Sequence, residues 1–224
     1  MSEYSAELAE MIGPTLDPAS GGKPRQLVVF LHGVGSDGND LIGLAPVFAE
    51  SLPDAAFVSP NAPFPFDMAP FGRQWFSLQQ VSNATALQGV KRATPILDAY
   101  LDQELAKRGL TDAEMALVGF SQGTMMALHV GLRRAHPVAA VVGYSGRVIA
   151  PELLGRELRS KPPVLLVHGD ADPVVPFVSM RFGEEALAGE GIEVKAIQRH
   201  GLGHSIDEAG LDAGIAFVAR AFGV

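Results

Sequence analysis

Short apolar runs alternate with helix-like stretches along most of this chain. The apolar runs show little polar alternation, as expected of strands buried on both faces of a parallel sheet. They are residues 27–31, 56–59, 115–118, 139–142, 164–167 and 194–197. Helices are predicted between them, over residues 41–50, 87–107, 122–134, 178–188 and 206–221. This alternation predicts a doubly wound α/β fold, with a mostly parallel central sheet flanked by helices.

The predicted organisation is a single domain over residues 1–224, because no internal repeat, polar linker or charge run divides the chain. Residues 1–26 stand apart from the main rhythm. They contain Ser-Gly-Gly-Lys-Pro at 20–24, which is a turn signal. We therefore expect residues 1–26 to form a leading antiparallel strand, joined as a hairpin to the first buried strand.

Composition narrows the class of function. With 47% hydrophobic and 19% charged residues, the chain is typical of a globular protein. A net charge of −8 argues against a nucleic-acid partner, which would need a basic surface. The absence of cysteine excludes a disulfide framework, a thiol nucleophile and a cysteine-ligated zinc. Neither a signal peptide nor an apolar run of about 18 residues is recognisable, so we expect a cytoplasmic protein without stable membrane insertion.

The strongest chemical motif is Gly-Phe-Ser-Gln-Gly at residues 119–123. It follows an apolar run and precedes a helix-like stretch, which is the setting of the serine nucleophile in α/β-hydrolases. Ser121 is therefore the predicted nucleophile. A similar pattern, Gly-Tyr-Ser-Gly-Arg, occurs at residues 143–147. There Arg147 replaces the second glycine and no helix follows at once, so we interpret Ser145 as a loop residue at the edge of the site.

A serine nucleophile needs a base, and the base needs an orienting carboxylate. In this fold the acid and then the histidine follow the serine along the chain. Asp170 and Asp172 both follow the fifth apolar run, and we favour Asp172 because the next residue is a proline, which stiffens the loop. His204, flanked by a glycine in a loop, is the favoured base. Asp170 and His200 remain the alternatives.

The tetrahedral intermediate of acyl transfer needs hydrogen-bond donors for its oxyanion. One expected donor is the backbone amide of Gln122, the residue after the nucleophile. The second should come from the glycine-rich loop that follows the first apolar run. The amide of Val34 is the candidate in that loop.

Two patterns that could imply a cofactor are incomplete. Gly33, Gly35 and Gly38 match the spacing of a dinucleotide-binding loop, but no acidic residue ends a second strand about 20 positions later. His200 and His204 have the spacing of a helical zinc pair, but intervening glycines disfavour a helix there. We therefore predict neither a metal nor another cofactor.

Four sequence blocks together resemble the small phospholipase/carboxylesterase family, which includes acyl-protein thioesterases and bacterial carboxylesterases. The blocks are LHGVGSDGNDL (31–41), GFSQGTMMAL (119–128), HGDADPVVP (168–176) and GLGHSID (201–207). The resemblance implies an α/β-hydrolase fold without a large cap domain. It also implies Ser121 as nucleophile, Asp172 as acid and His204 as base, with the amides of Val34 and Gln122 as oxyanion donors.

A proline-rich but apolar loop precedes the second predicted helix. Four prolines in residues 60–75 prevent a regular helix or a central strand. The resemblance places residues 72–77 on the substrate side, although Ser77 stands where many relatives carry an aspartate after the Trp-Phe pair. The predicted substrate-binding side chains of this loop are Phe66, Met68, Phe71, Trp75 and Phe76.

These features predict a serine carboxylesterase that hydrolyses esters of small to medium acyl chains through an acyl-enzyme. Acyl-protein thioesterase or lysophospholipase activity is the alternative within the family. A non-catalytic binding module with the same fold is the alternative from another class, and a peptidase or a cofactor-free peroxidase is a further enzyme alternative. The expected partner is a small ester, and a homodimer is compatible with the sequence.

Overall fold

A computed structural model describes residues 11–79 and 82–224, and seven of its strands form one sheet. The strands are β1 (Thr15–Leu16), β2 (Gln26–Leu31), β3 (Ala55–Val58), β4 (Phe64–Pro65), β5 (Arg73–Gln74), β6 (Met115–Phe120), β7 (Ala140–Tyr144), β8 (Val164–Gly169) and β9 (Val194–Arg199). The sheet order is β1-β3-β2-β6-β7-β8-β9, and every neighbouring pair except β1–β3 is parallel. The mostly parallel sheet predicted from the apolar runs is confirmed.

Helices cover both faces of this sheet. They are α1 (Gly38–Ile42), α2 (Ala45–Ser51), α3 (Asn83–Arg108), α4 (Gln122–Gly131), α5 (Leu154–Glu157), α6 (Val178–Gly189) and α7 (Glu208–Phe222). Alternate side chains of β2 enter two different cores. Leu27, Val29 and Leu31 pack with residues of α3, α4 and α6. Val28 and Phe30 pack with residues of α1, α2 and α7, so burial on both faces explains why β2 has no polar alternation.

The first predicted helix is divided in two. Asp37 accepts a hydrogen bond from the amide of Asn39 and so caps α1. Pro46 lies in the first turn of α2, where its missing amide hydrogen is not needed. Within the described residues, no helix combines the length and the apolar character that crossing a membrane requires.

The leading strand pairs differently from the prediction. Thr15 and Leu16 lie antiparallel to Val58 and Phe57 of β3, and not against β2. The hairpin onto the first buried strand is therefore wrong, because β2 is already paired on both edges, with β3 and β6. Among the described strands, β3 has its outer edge left for β1. Residues 1–10 lie outside the described part of the chain.

The proline-rich loop forms a small ribbon that is separate from the main sheet. Strands β4 and β5 pair antiparallel, with Phe64 opposite Gln74. The guanidinium of Arg73 donates hydrogen bonds to the carbonyls of Ala62 (2.8 Å) and Pro63 (3.0 Å). These bonds satisfy two carbonyls that precede β4, and they anchor the chain just before it enters the site.

Candidate active site

Ser121 occupies the sharp turn between β6 and α4. Its backbone angles, φ 54° and ψ −115°, lie in a region that a residue with a side chain rarely adopts. The amide of Ser121 donates a hydrogen bond to the carbonyl of Tyr144 on the neighbouring strand, at 2.9 Å. The structure therefore places Ser121 in a strained strand-to-helix turn at the carboxyl end of the central strands, as its sequence motif predicts.

The two glycines around Ser121 are required by close packing. A Cβ atom on Gly119 would lie 2.5 Å from the carbonyl carbon of Gly123. A Cβ atom on Gly123 would lie 1.8 Å from the carbonyl oxygen of Leu31, at the end of β2. Neither backbone group can move aside without breaking the sheet or the helix. The spacing of glycine, serine and glycine is thus a consequence of how tightly α4 folds back over β2 and β6.

Asp172 and His204 are brought together from two separate loops. Nδ1 of His204 lies 2.7 Å from Oδ2 of Asp172, and the carboxylate is fully buried. Its other oxygen, Oδ1, accepts hydrogen bonds from the amides of Val174 (2.8 Å) and Val175 (2.9 Å). Burial by itself would raise the pKa of Asp172, but the hydrogen bonds from His204 and these amides outweigh it and hold the pKa below the usual value. Asp172 is therefore held as a carboxylate.

His204 lies beside the serine turn. Its ring packs on the ring of Phe120, the residue before Ser121, with 4.9 Å between centroids. In the described part of the chain, no hydrogen bond joins the imidazole to the Ser121 hydroxyl. Catalytic contacts are often long before substrate binds, so this separation does not argue against a base at His204.

The two residues held as alternatives pair with each other. Nδ1 of His200 lies 2.9 Å from Oδ2 of Asp170, and the imidazole is exposed to solvent. Asp170 also accepts hydrogen bonds from the side chain of Gln198 and the amide of Gly201, which together lower its pKa. Two Asp–His pairs thus join the loop after β8 to the loop after β9 in the described residues, and of these the pair of Asp172 and His204 is buried beside the serine.

The predicted oxyanion donors lie at the same place. Val34 and Gln122 both line the cavity onto which Ser121 opens. Gly33 packs over the turn, where a Cβ atom would lie 3.5 Å from Cβ of Ser121. Among the described residues, the amides of Val34 and Gln122 donate no hydrogen bond to another protein group. Both are therefore available to an oxygen atom of a ligand.

Ser145 is buried next to the loop that carries His204. It has a positive φ of 49°, and its hydroxyl lies 3.5 Å from the carbonyl of Ser205. Its amide donates to the carbonyl of Val167, at 2.9 Å. Ser145 is not among the residues that line the cavity of Ser121. The structure places Ser145 next to the loop that carries His204, at the edge of the site.

Comparison with known proteins identifies the family to which this chain belongs. A family model described as phospholipase/carboxylesterase matches residues 18–221. This chain belongs to the phospholipase/carboxylesterase family. Members are hydrolases of carboxylic esters with the α/β-hydrolase fold, and the described residues include no large cap domain.

Individual relatives agree with this assignment. Esterase YpfH of Escherichia coli (strain K12) is 30% identical over 82% of this chain and 77% of its own length. Acyl-protein thioesterase 1 of Gibberella zeae is 26% identical over 93% of this chain and 95% of its own. The crystal structure of esterase PE8 superposes with a TM-score of 0.91 at 45% identity, covering 94% of this chain and 99% of the other.

The cavity beside Ser121 in this carboxylesterase-family chain has a volume of about 430 Å³. Of the five aromatic and methionine side chains predicted to bind substrate, only Phe76 lines it. The remaining walls come from the loop after β2, the end of the proline-rich loop, α3, α4, the loop after β7, the loop that carries Asp172 and the start of α6. The lining residues are Val34, Phe76, Ser77, Leu78, Thr85, Ala86, Ser121, Gln122, Met125, Arg147, Val174, Val175, Pro176 and Ser179.

The other four predicted substrate residues lie elsewhere. Trp75 is 0% exposed, and its indole nitrogen donates to the carbonyl of His32 at 2.9 Å, so it is a core residue and not a ligand contact. Met68 and Phe71 are 66% and 73% exposed, on the outer part of the loop. Phe66 is partly buried. Aromatic content pointed to the loop but could not separate side chains that support it from side chains that face the cavity.

The side chain of Gln122 makes contacts that the sequence analysis did not predict. Its side-chain oxygen accepts a hydrogen bond from the amide of Trp75, and its side-chain nitrogen donates to the carbonyl of Phe76, both at 2.8 Å. This buried amide side chain ties the proline-rich loop to the start of α4. No local signal could have predicted the contact, because the partners are almost fifty positions apart in the chain.

His168 is a further residue of the site that the motif did not assign. It is buried at the end of β8, with Nε2 2.9 Å from the carbonyl of Val175 and 3.2 Å from Oδ2 of Asp172. With a hydrogen on Nε2, His168 donates to the carbonyl of Val175, which orients the loop that carries the carboxylate. In the described residues, no group of three or more acidic or histidine side chains has an arrangement that could hold a metal ion.

Proposed function

We propose that the chain hydrolyses carboxylic esters of small to medium acyl chains, with Ser121 as nucleophile, His204 as general base and Asp172 as orienting acid. The observation that carries the proposal is the 2.7 Å hydrogen bond between buried Asp172 and His204, next to the strained serine turn. A carboxylate in that position selects the imidazole tautomer that leaves Nε2 free to accept a proton.

The proposed reaction has two steps. Nε2 of His204 takes the hydroxyl proton as Oγ of Ser121 bonds to the ester carbonyl carbon, and the amides of Val34 and Gln122 receive the negative charge that forms on the carbonyl oxygen. The alcohol then departs with the proton held by His204. A water molecule, deprotonated by His204, attacks the acyl-enzyme, and release of the acid restores the Ser121 hydroxyl.

Cavity size and lining support the proposed acyl chain. A volume of about 430 Å³ lies in the range of pockets that hold small molecules. Phe76, Leu78 and Met125 provide apolar walls close to Ser121. A short or medium acyl chain is expected to find most of its contacts there.

A thioesterase is the second candidate, since acyl-protein thioesterase 1 of Gibberella zeae is similar over almost the whole chain. Ser77 weakens this candidate, because many relatives carry aspartate at that position. Here the Ser77 hydroxyl donates to the carboxylate of Asp67, so an acidic group still lies next to the cavity wall. Hydrolysis of 4-nitrophenyl esters of graded chain length, compared with thioesters of the same acids, separates the two. The cytoplasmic location and the homodimer stay predictions.

Removing the Ser121 hydroxyl tests the proposal most directly. Ser121→Ala should lower kcat on a 4-nitrophenyl ester by about six orders of magnitude, since members of a triad act as a unit. A fluorophosphonate probe should label Ser121 in the wild type and nothing in this variant. Ser145→Ala is the matched control and should keep both activity and labelling. Labelling of Ser145, or more than about a tenth of wild-type activity in Ser121→Ala, would refute the assignment.

A further inference from the structure

The cavity beside Ser121 contains a single charged side chain among its described lining residues. That side chain is the half-buried guanidinium of Arg147, and the other lining residues are apolar or neutral. The protein as a whole carries a net charge of −8, so the positive charge in this cavity is opposite in sign to the net charge of the protein. A cationic wall is not needed to bind a plain acyl chain.

Arg147 has no carboxylate partner among the described residues. Its only hydrogen bond there joins Nη1 to the side-chain oxygen of Asn83, at 3.2 Å. Two other arginines behave differently: Arg133 binds Glu157 through two nitrogens, and Arg134 contacts three aspartates. A partly desolvated guanidinium with one neutral acceptor keeps most of its donors available for a ligand.

Arg147 lies close to the serine turn but is separated from the Ser121 hydroxyl. Gly146, the preceding residue, packs on the serine turn so closely that a Cβ atom would lie 2.8 Å from the carbonyl oxygen of Ser121. Arg147 and Ser179 also line a neighbouring cavity of about 190 Å³. Arg147 therefore stands where the two cavities meet, and a group bound to it would lie beyond the part of the substrate that Ser121 attacks.

We propose that Arg147 binds an anionic oxygen group, a carboxylate or a phosphate, carried by the ester substrate away from its scissile carbonyl. The guanidinium presents paired donors that match the oxygens of either group. Glu152 lines the neighbouring cavity but forms no ion pair with Arg147 in the described structure, so it does not occupy the site. This inference rests on the proposed ester hydrolysis and narrows its substrate class.

Two matched pairs of esters test the proposal and distinguish the two anions. Ethyl valerate ends in a methyl group at the position where monoethyl glutarate carries a carboxylate. Monobutyrylglycerol and its phosphate differ by the phosphate alone. For each pair, the ratio of kcat/KM for the anionic ester to that for the neutral ester is measured by titrating the acid released. In the wild type the ratio should exceed one for at least one pair.

Substitution of Arg147 should remove that preference. Arg147→Met should lower the ratio about ten- to a hundredfold, which is the range expected for hydrogen bonds to a charged group. Arg147→Lys, which keeps the charge but loses the paired donors, should lower it less. Arg156→Met is the control, because it removes an equal charge from an exposed position on α5. The control should leave the ratio as it is in the wild type.

A binding measurement keeps this inference separate from the proposed function. Ser121→Ala should bind monoethyl glutarate or butyrylglycerol phosphate more tightly than the same protein that also carries Arg147→Met. Failure of the wild type to hydrolyse any of the four esters would refute the esterase proposal, while this difference in affinity would still support an anion site. Equal ratios in the wild type and Arg147→Met, together with equal affinities, would overturn the role of Arg147.

Discussion

Two Asp–His pairs stand side by side at the carboxyl ends of β8 and β9. In both, Nδ1 of the histidine meets Oδ2 of the aspartate, at 2.7 Å in Asp172–His204 and 2.9 Å in Asp170–His200. Their surroundings differ. The side chains of His204 and Asp172 are 17% and 0% exposed, whereas those of His200 and Asp170 are 84% and 26% exposed.

The comparison shows that a hydrogen bond between aspartate and histidine does not by itself define a catalytic pair. Water and salt screen the exposed pair, so its interaction is weak, while the buried pair interacts through a less polar medium. Only His204 lies against Phe120 and hence beside the serine turn. The burial of the carboxylate and the position of the histidine beside the serine turn distinguish the pair proposed for catalysis. The length of the hydrogen bond does so less.

The largest expected effect comes from the two histidines. His204→Ala should lower kcat/KM on a 4-nitrophenyl ester about 10⁵- to 10⁶-fold, because the base proposed to accept the Ser121 proton is lost. His200→Ala should change it by no more than about threefold, as for the loss of an exposed ion pair. Steady-state kinetics of both variants make the comparison. A large loss of kcat/KM in His200→Ala would identify His200 as the base.

The two aspartates provide the second comparison. Asp172→Asn should lower kcat about 10⁴-fold, because an amide can still accept from Val174 and Val175 but no longer stabilises the charged imidazole. Asp170→Asn should stay within about threefold of the wild type. Unchanged circular dichroism of both variants would show that the fold is retained. Similar losses of kcat in the two variants would remove the distinction between the pairs.

Each aspartate also has a neighbouring polar side chain, which gives a smaller test. His168 lies 3.2 Å from Oδ2 of Asp172 and bonds the carbonyl of Val175 in the same loop, and Gln198 donates to Oδ2 of Asp170 at 2.8 Å. His168→Leu should lower kcat by up to about tenfold with little change in KM, since the hydrogen bond that positions the loop of Asp172 is lost. His168→Gln, which keeps a donor, should recover part of that loss. Gln198→Ala is the matched control and should leave kcat unchanged.

The smallest expected effect is on stability and its dependence on pH. The folded-state pKa of Asp172 is lowered, so its carboxylate stabilises the fold above the ordinary carboxyl pKa of about 4, and this contribution is lost as the pH falls below that value. Urea unfolding at about pH 7 should show Asp172→Asn to be about 1–2 kcal/mol less stable than the wild type. At about pH 3.5 the difference should be smaller.

The pKa of Asp170 is lowered too, so Asp170→Asn should change stability in the same direction. Because the carboxylate of Asp170 is exposed, its effect on stability should be the smaller one. A stability loss in Asp170→Asn equal to that in Asp172→Asn would contradict the importance given to burial.

Much of the fold and part of the site follow from local features of the sequence. The apolar runs are strands because continuous apolar character suits burial on both faces, and this property is local. Ser121 could be located because its turn leaves no space for a Cβ atom at either neighbouring glycine. The order of Asp172 and His204 after the serine follows from the connection of the strands.

The rest depended on which segments meet in space. Nothing in the sequence decides that Asp172 pairs with His204 and Asp170 with His200, because each partner reaches across from a different loop. The burial of Trp75 and the hydrogen bonds of Gln122 to the proline-rich loop also arise only when α4 packs beside that loop. The sequence thus determined the strands and the serine turn through local sterics and hydrophobicity. The tertiary structure alone decided which polar side chains became buried partners and which, like Arg147, remained facing a cavity.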